Sequence, residues 1–193
     1  MKIQLSVMII LFSLIQATPV FADTITDTEI DKFVESAPKA GATIKRIKAK
    51  VNKDITLSKR LSDAQVEGAY MRKLVEVAKE WPEYPALENA VKASGFGSIA
   101  EWALVSDRVL GVIMSANWVV LTGSLQKSKS KSPALTMETN LFTYLNDKSN
   151  DSGLRKKFSD QLNEVCERLC YDTSDLLVVG ARYEEVQSAV NAM

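Results

Sequence analysis

The sequence predicts an all-α protein, a single-domain bundle of about six or seven helices that follows a cleaved signal peptide. Three observations lead to this fold class. Apolar residues recur at helical spacing along most of the chain. The alternation of apolar and polar residues that indicates strands is nearly absent. Capping residues and prolines divide the 193 residues into segments of helical length, and a chain of this size is expected to form one domain.

The first 22 residues have the parts of a secretory signal peptide. Lys2 supplies the positive start, residues 3–15 form an apolar core, and Ala22 ends a cleavage site with small residues. We expect cleavage between Ala22 and Asp23, which leaves residues 23–193 as the helical domain. The apolar core is shorter than the roughly 20 residues that cross a bilayer, so an uncleaved membrane anchor is less favoured. The protein is therefore expected in a bacterial periplasm, or secreted beyond it.

The first helix of the domain is predicted to start after Thr26. Thr26 and Glu29 have the T-x-x-E spacing of a capping box, in which each side chain bonds to the other residue's backbone amide. Pro38 and Gly41 follow within the apolar repeat, and both residue types are typical of helix ends. We therefore expect the first helix to stop or kink near Pro38.

Capping residues, prolines and a glycine also predict the ends of the next two helices. A capped segment from Ser62 to about Trp81 is predicted as one helix, which a proline ends. Pro85 suits the first turn of the following helix. Gly95 is expected to close that helix in the left-handed conformation, with Phe96 folding back as its hydrophobic contact.

A long helix is predicted from Ser98, which forms a second capping box with Glu101, to about Leu121. Its second half is apolar on most sides, so a membrane span and a central core helix both fit the pattern. We favour the core helix, because the apolar run is about 13 residues long where roughly 20 are needed. Gly111 and Ser115 are four residues apart, a spacing that lets a neighbouring helix approach closely.

Residues 123–133 are predicted as a flexible, exposed connector, because lysines alternate with serines there. Beyond it, the apolar spacing predicts three more helices, over about residues 135–145, 154–169 and 173–190. The connector separates two groups of helices, each too small to be expected as a domain of its own.

A basic stretch lies between the first helix and the segment that starts at Ser62. Its apolar residues fit a helical face, and some of them also fit a short strand. Such a stretch fits an anionic partner, such as phospholipid headgroups, lipopolysaccharide phosphates or an acidic protein, although a solvated helix face is the commoner explanation. The candidate residues are Lys45, Arg46, Lys48, Lys50, Lys53, Lys59 and Arg60.

Cys166 and Cys170 are four residues apart on a predicted helix, so both thiols lie on one face. An oxidising compartment favours a disulfide between them, although their Cα separation on a helix is near the upper limit for one. Two buried, reduced thiols are the other state that fits. A redox enzyme is not favoured, because the spacing is C-x-x-x-C rather than C-x-x-C, and two thiolates alone make a poor soft-metal site.

The chain contains no histidine, and this excludes several catalytic classes. A Ser-His-Asp triad, a Cys-His pair and histidine metal ligands are all impossible. The 24 basic and 24 acidic residues balance, whereas nucleic-acid binders usually carry a basic excess. Phosphate-cradling and calcium-binding motifs are also absent, so we assign no cofactor, metal or catalytic residue.

A carboxylate-dependent enzyme that cleaves peptidoglycan is the remaining catalytic hypothesis. Glu35, followed by serine, resembles the Glu-Ser pair of helical transglycosylases. Glu101 lies beside Trp102, and an aromatic wall of this kind raises a carboxyl pKa. Both residues have simpler explanations, since Glu35 falls on the polar side of a helix and Glu101 is the capping partner of Ser98.

One segment resembles a recurring feature of small exported bacterial helical proteins of unknown function. It has the form GF-x-S-x-x-EW, spans residues 93–102 and continues into the long helix at Val105, Asp107, Arg108 and Val109. The helix from Thr26 to Pro38 is similar to the mature N-terminus of the same proteins. The resemblance covers roughly half of the mature chain and implies export and a helical fold, but no activity.

These observations predict an exported, non-enzymatic helical protein that binds another component of the cell envelope, as an adaptor, a chaperone-like factor or an inhibitor. The expected partner is an envelope protein or an anionic surface, with no nucleic acid and no transmembrane span in the mature chain. The peptidoglycan-cleaving enzyme is the alternative function, and a cysteine-based metal or redox carrier is a third.

Overall fold

The computed structural model describes residues 24–125, Leu135 and residues 139–193. The expected signal peptide, with its cleavage site between Ala22 and Asp23, lies outside the described residues, as does most of the predicted connector. The described part of the chain is all-helical and contains no strand. Its nine helices are α1 (Asp27–Val51), α2 (Ile55–Val66), α3 (Tyr70–Ala78), α4 (Tyr84–Lys92), α5 (Ile99–Leu125), α6 (Leu141–Asn146), α7 (Ser152–Leu169), α8 (Asp175–Ala181) and α9 (Tyr183–Ala192).

Helix α1 is a single helix of 25 residues that runs through Pro38, so the predicted stop near this residue is wrong. Its start is confirmed: Glu29 N donates to Thr26 Oγ1 at 3.2 Å, and Thr26 N donates to Glu29 Oε2 at 2.8 Å. The helix continues past Pro38 because one face is buried against α4, α5 and α9. This packing outweighs the backbone hydrogen bond that proline cannot donate. The basic stretch therefore belongs to the second half of α1 and to α2, and is not a strand.

Gly41 also lies inside α1, although its residue type is typical of helix ends. A Cβ atom at this position would collide with the backbone carbonyl of Ala192. The missing side chain therefore lets the end of α9 lie directly against α1.

The predicted single helix from Ser62 to about Trp81 is instead parts of two helices, α2 and α3. Helix α2 begins earlier than expected, because Asp54 Oδ1 accepts hydrogen bonds from Thr56 N at 2.9 Å and Leu57 N at 3.0 Å. Gly68 separates the two helices in a left-handed conformation, with φ of 65°.

The start of α3 is capped by a side chain from another helix. Ala69, at its N-cap position, has no side-chain acceptor. Asp107 of α5 accepts hydrogen bonds from Met71 N at 2.6 Å, Arg72 N at 3.2 Å and Arg72 Nε at 2.8 Å. The contact fixes α3 to α5 and satisfies amide groups that have no partner within their own helix.

The corner between α4 and α5 has the predicted construction. Gly95 is left-handed, with φ of 85°, and Phe96 is buried. Glu101 N donates to Ser98 Oγ at 3.1 Å. The Glu101 carboxylate accepts from Gly97 N at 2.8 Å, one residue before the partner that a standard capping box uses.

Helix α5 is the central element and packs against α1, α3, α4, α6, α7, α8 and α9. It ends at Leu125, beyond the predicted end near Leu121, so its last turn occupies the start of the predicted connector. Its segment Ile99–Gly123 is long and apolar enough to cross a membrane, and 67% of the most apolar window is buried inside the protein. This burial favours the interpretation of α5 as a core helix.

The C-terminal helices differ from the prediction mainly in their ends. Helix α7 matches the expected segment closely, whereas α6 covers only the end of its segment. The last predicted helix is divided near Arg182 into α8 and α9. These divisions bring the described residues to nine helices, above the six or seven predicted.

Candidate functional site

The predicted basic residues lie on the second half of α1, in the following turn and on α2; we call residues 45–60 the basic segment. It contains seven basic residues and a single acidic one, Asp54. Six of the basic side chains are exposed, and Lys48 is half-buried. Because Asp54 caps α2, its carboxylate is already used within the fold.

Two of the basic residues in this segment form ion pairs with α3 and the α3–α4 turn. Lys50 Nζ lies 2.6 Å from Glu83 Oε1, and Arg60 Nη2 lies 3.8 Å from Glu76 Oε1. The other five have no carboxylate oxygen within 4.0 Å among the residues that the structure describes. They are Lys45, Arg46, Lys48, Lys53 and Lys59.

An exposed apolar side chain lies within the basic segment. Ile55, the first residue of α2, is 87% exposed, and Lys53 and Lys59 precede and follow it in the chain. Ile55 and Lys59 are four residues apart on α2 and so share one face of the helix. Single exposed apolar residues are common on protein surfaces. An apolar side chain among lysines without carboxylate partners is, by contrast, typical of segments that lie on a membrane surface.

Lys48 differs from the other basic residues in its surroundings. Its Nζ lies 5.9 Å from the centre of the Tyr70 ring. Burial, and to a smaller extent the charge of Lys45, lowers the pKa of Lys48 from its ordinary value. Burial also raises the pKa of the Tyr70 hydroxyl.

The structure brings Cys166 and Cys170 together at the end of α7, with their sulfurs at disulfide distance and their Cα atoms 4.8 Å apart. Cys170 N donates to Cys166 O at 2.7 Å, so the last backbone hydrogen bond of α7 joins the same two residues. Cys166 is fully buried, an environment that does not favour a redox or metal carrier. Within residues 24–125 and 139–193, no three or more His, Cys, Asp or Glu residues are grouped to hold a metal ion.

The two carboxylates considered for catalysis are engaged in surface contacts. Glu35 forms an ion pair with Lys39, with 2.6 Å between Oε1 and Nζ. Glu101 caps the start of α5 and lies 3.7 Å from Lys32 Nζ. Trp102 is fully buried, and its Nε1 donates to Ser36 Oγ at 2.9 Å, so its ring belongs to the core. The structure therefore gives each residue the simpler role that its position in the sequence indicates.

Sequence reasoning missed a buried ion pair between Arg108 and Asp175. Asp175 Oδ1 also accepts a hydrogen bond from Ile25 N at 2.8 Å. Burial acts to lower the pKa of Arg108, but its hydrogen bonds to Asp175 and the charge of that carboxylate outweigh burial and raise the pKa. Arg108 is visible in the sequence, because it is a charged residue beside an apolar run. Asp175 is not, because nothing near it distinguishes it from an aspartate that caps a helix.

Two of these features are available to another molecule: the basic segment with Ile55, and the half-buried Lys48. The cysteine pair and the buried ion pair bond within the protein itself. Comparison of the chain with protein-family models, with curated proteins and with solved structures finds no match.

Proposed function

We propose that this chain is an exported, non-enzymatic helical protein that binds an anionic membrane surface of the cell envelope through the basic segment. The observation that carries the proposal is the placement of Ile55, which is 87% exposed among lysines without carboxylate partners. Export is supported by the signal-peptide pattern of the first 22 residues and by the resemblance of residues 93–102 to exported helical proteins.

Charge supplies the first contribution to binding. Each lysine or arginine near an anionic lipid surface contributes about 1 kcal/mol, an attraction that falls off within the Debye length. The described part of the chain offers Lys45, Lys53 and Lys59 for this role, since all three are exposed and lack a carboxylate within 4.0 Å. Binding should therefore weaken as the salt concentration rises.

The exposed apolar residue supplies the second contribution and separates a membrane from an acidic protein as the partner. An isoleucine side chain gains from leaving water for the boundary between headgroups and acyl chains. A hydrophilic acidic surface offers no such environment. The combination of Ile55 with Lys53 and Lys59 therefore favours a lipid surface.

Binding of the purified protein to vesicles tests the proposal. The protein should co-sediment with vesicles that contain phosphatidylglycerol and phosphatidylcholine. It should not co-sediment with vesicles of phosphatidylcholine alone. The double variant Lys53→Gln/Lys59→Gln should bind the anionic vesicles about tenfold or more weakly. Ile55→Ser should also weaken binding, because the apolar contact is lost.

Matched variants elsewhere on the surface serve as controls. Lys148→Gln/Lys156→Gln removes the same charge outside the basic segment, and Leu177→Ser removes an apolar side chain that is 80% exposed on α8. Both should bind as the wild type does. Equal losses in the control and test variants, or equal binding to neutral vesicles, would show that the basic segment does not recognise an anionic membrane.

A further inference from the structure

Residues of α1, α2, α3, α5 and α9 line a groove of about 330 Å³, which does not include the exposed Ile55 of α2. Its volume is at the lower end of the range for small-molecule pockets. Six apolar side chains line it, and three of them are buried in the core. These six residues are Met71, Leu110, Ile113, Met114, Val190 and Met193.

The polar side chains around the groove include a single charged one. Four amide side chains line it, from Gln65, Asn117, Gln187 and Asn191. Lys48 supplies the charge, and no Asp or Glu lines the groove. In the described part of the chain no carboxylate oxygen lies within 4.0 Å of Lys48 Nζ.

Lys48 and Tyr70 are neighbours in the lining of the groove. The Lys48 Nζ lies close to the Tyr70 ring, and both side chains are half-buried. The ring face offsets only part of the cost of burying an ammonium group, and no anion lies beside it among the described residues. A ligand carboxylate would supply the missing charge and accept a hydrogen bond from the ammonium group.

The apolar lining of the groove favours a ligand whose remaining part is apolar. Three methionines contribute to it, and their unbranched, flexible side chains adapt to irregular apolar shapes. We propose that the groove binds a fatty acid, with its carboxylate held by Lys48 and its hydrocarbon chain on the methionine-rich lining. The groove shares only Lys48 with the basic segment, and unlike the membrane surface it takes a single dissolved ligand.

Isothermal titration calorimetry of the full chain with dodecanoate, below its micelle concentration, tests the proposal. Dodecanoate should bind at one site, and dodecyltrimethylammonium, which has the same alkyl chain and the opposite charge, should not. Butanoate should bind far more weakly, because its chain covers little of the apolar lining. Comparable binding of both dodecyl compounds would show nonspecific adsorption and overturn the proposal, as would the absence of any binding.

Two lysine variants separate the groove from general surface charge. Lys48→Met should weaken dodecanoate binding about tenfold or more, because a charge-assisted contact is lost. Lys148→Met removes an exposed charge that lies outside both the basic segment and the lining of the groove, and it should leave binding unchanged. Equal effects of the two variants would contradict the assignment. No vesicle takes part in this titration, so its outcome and that of the vesicle experiment are separate.

Discussion

Arg108 and Asp175 form a two-point ion pair inside the protein: Arg108 Nη2 donates to Asp175 Oδ1 at 2.6 Å, and Nε donates to Oδ2 at 2.9 Å. The side chains are 3% and 0% exposed, respectively. The same carboxylate bonds to Ile25 N. The pair therefore joins α5, α8 and the segment that precedes α1.

Removal of one partner of this pair should destabilise the protein strongly. Asp175→Leu removes the carboxylate that pairs with the buried Arg108 guanidinium group, so we expect the free energy of unfolding to fall by about 3–5 kcal/mol. Arg108→Met/Asp175→Leu should cost less than Asp175→Leu alone, because no charge is left in the interior. Urea denaturation measures both. Arg168→Met, which breaks an exposed pair with Glu164, is the control and should have little effect. A double variant less stable than the single one would contradict this account.

Gly111 should tolerate no side chain, because a Cβ atom there would lie 2.6 Å from Leu169 O. This close approach confirms the packing predicted from the spacing of Gly111 and Ser115. We expect Gly111→Ala to lower the free energy of unfolding by about 1–3 kcal/mol through overpacking. Gly153→Ala, at an exposed position in the first turn of α7, should have a smaller effect, because its Cβ atom would lie 3.2 Å from a side-chain atom, Asp151 Oδ1, that can shift. Thermal denaturation compares them, and similar melting temperatures would show that α5 and the end of α7 can separate at little cost.

Reduction should lower stability modestly if Cys166 and Cys170 are bonded. The two residues are only four positions apart, and closing so short a loop restricts the unfolded chain by about 2 kcal/mol. We expect a reductant to lower the melting temperature of the wild type and to leave that of Cys166→Ala/Cys170→Ala unchanged. Titration of free thiols in the unfolded, unreduced protein should find none. Two titratable thiols would establish the reduced state instead.

The stability contributed at Lys48 should depend on pH. Burial lowers the pKa of Lys48 in the folded protein below its ordinary value of 10.5, which the unfolded chain keeps. Between these two pKa values the unfolded state binds more protons, so the stability of the fold rises with pH. We expect the wild type to gain stability relative to Lys48→Met as the pH is raised from neutral toward 10.5. A pH-independent difference in urea denaturation would show that Lys48 titrates normally.

Local signals in the sequence predict helix ends well where the bonds that form them are local. Thr26 bonds to Glu29, and Ser98 accepts from Glu101 N, so each motif carries its own partners. Pro38 leads to a wrong prediction, because packing of α1 against α4, α5 and α9 keeps the helix continuous. Those helices lie outside the short stretch of sequence around Pro38. The start of α3 is equally hidden, because its cap comes from Asp107 in another helix.

The candidate site was likewise predictable from the sequence only in part. The excess of basic residues in the basic segment is visible from composition alone. Which of them lack a partner depends on Glu76 and Glu83, which reach them only in the folded chain. The groove beside Lys48 was not predictable at all, since five helices from both ends of the sequence contribute to it.

The bond between Ile25 and Asp175 spans 150 positions of sequence and has a consequence for biosynthesis. A nascent chain emerges from the ribosome with its N-terminus first, so α1 must wait for α8 and α9 before its buried face is complete. Throughout most of translation the polypeptide lacks the residues that close its interior.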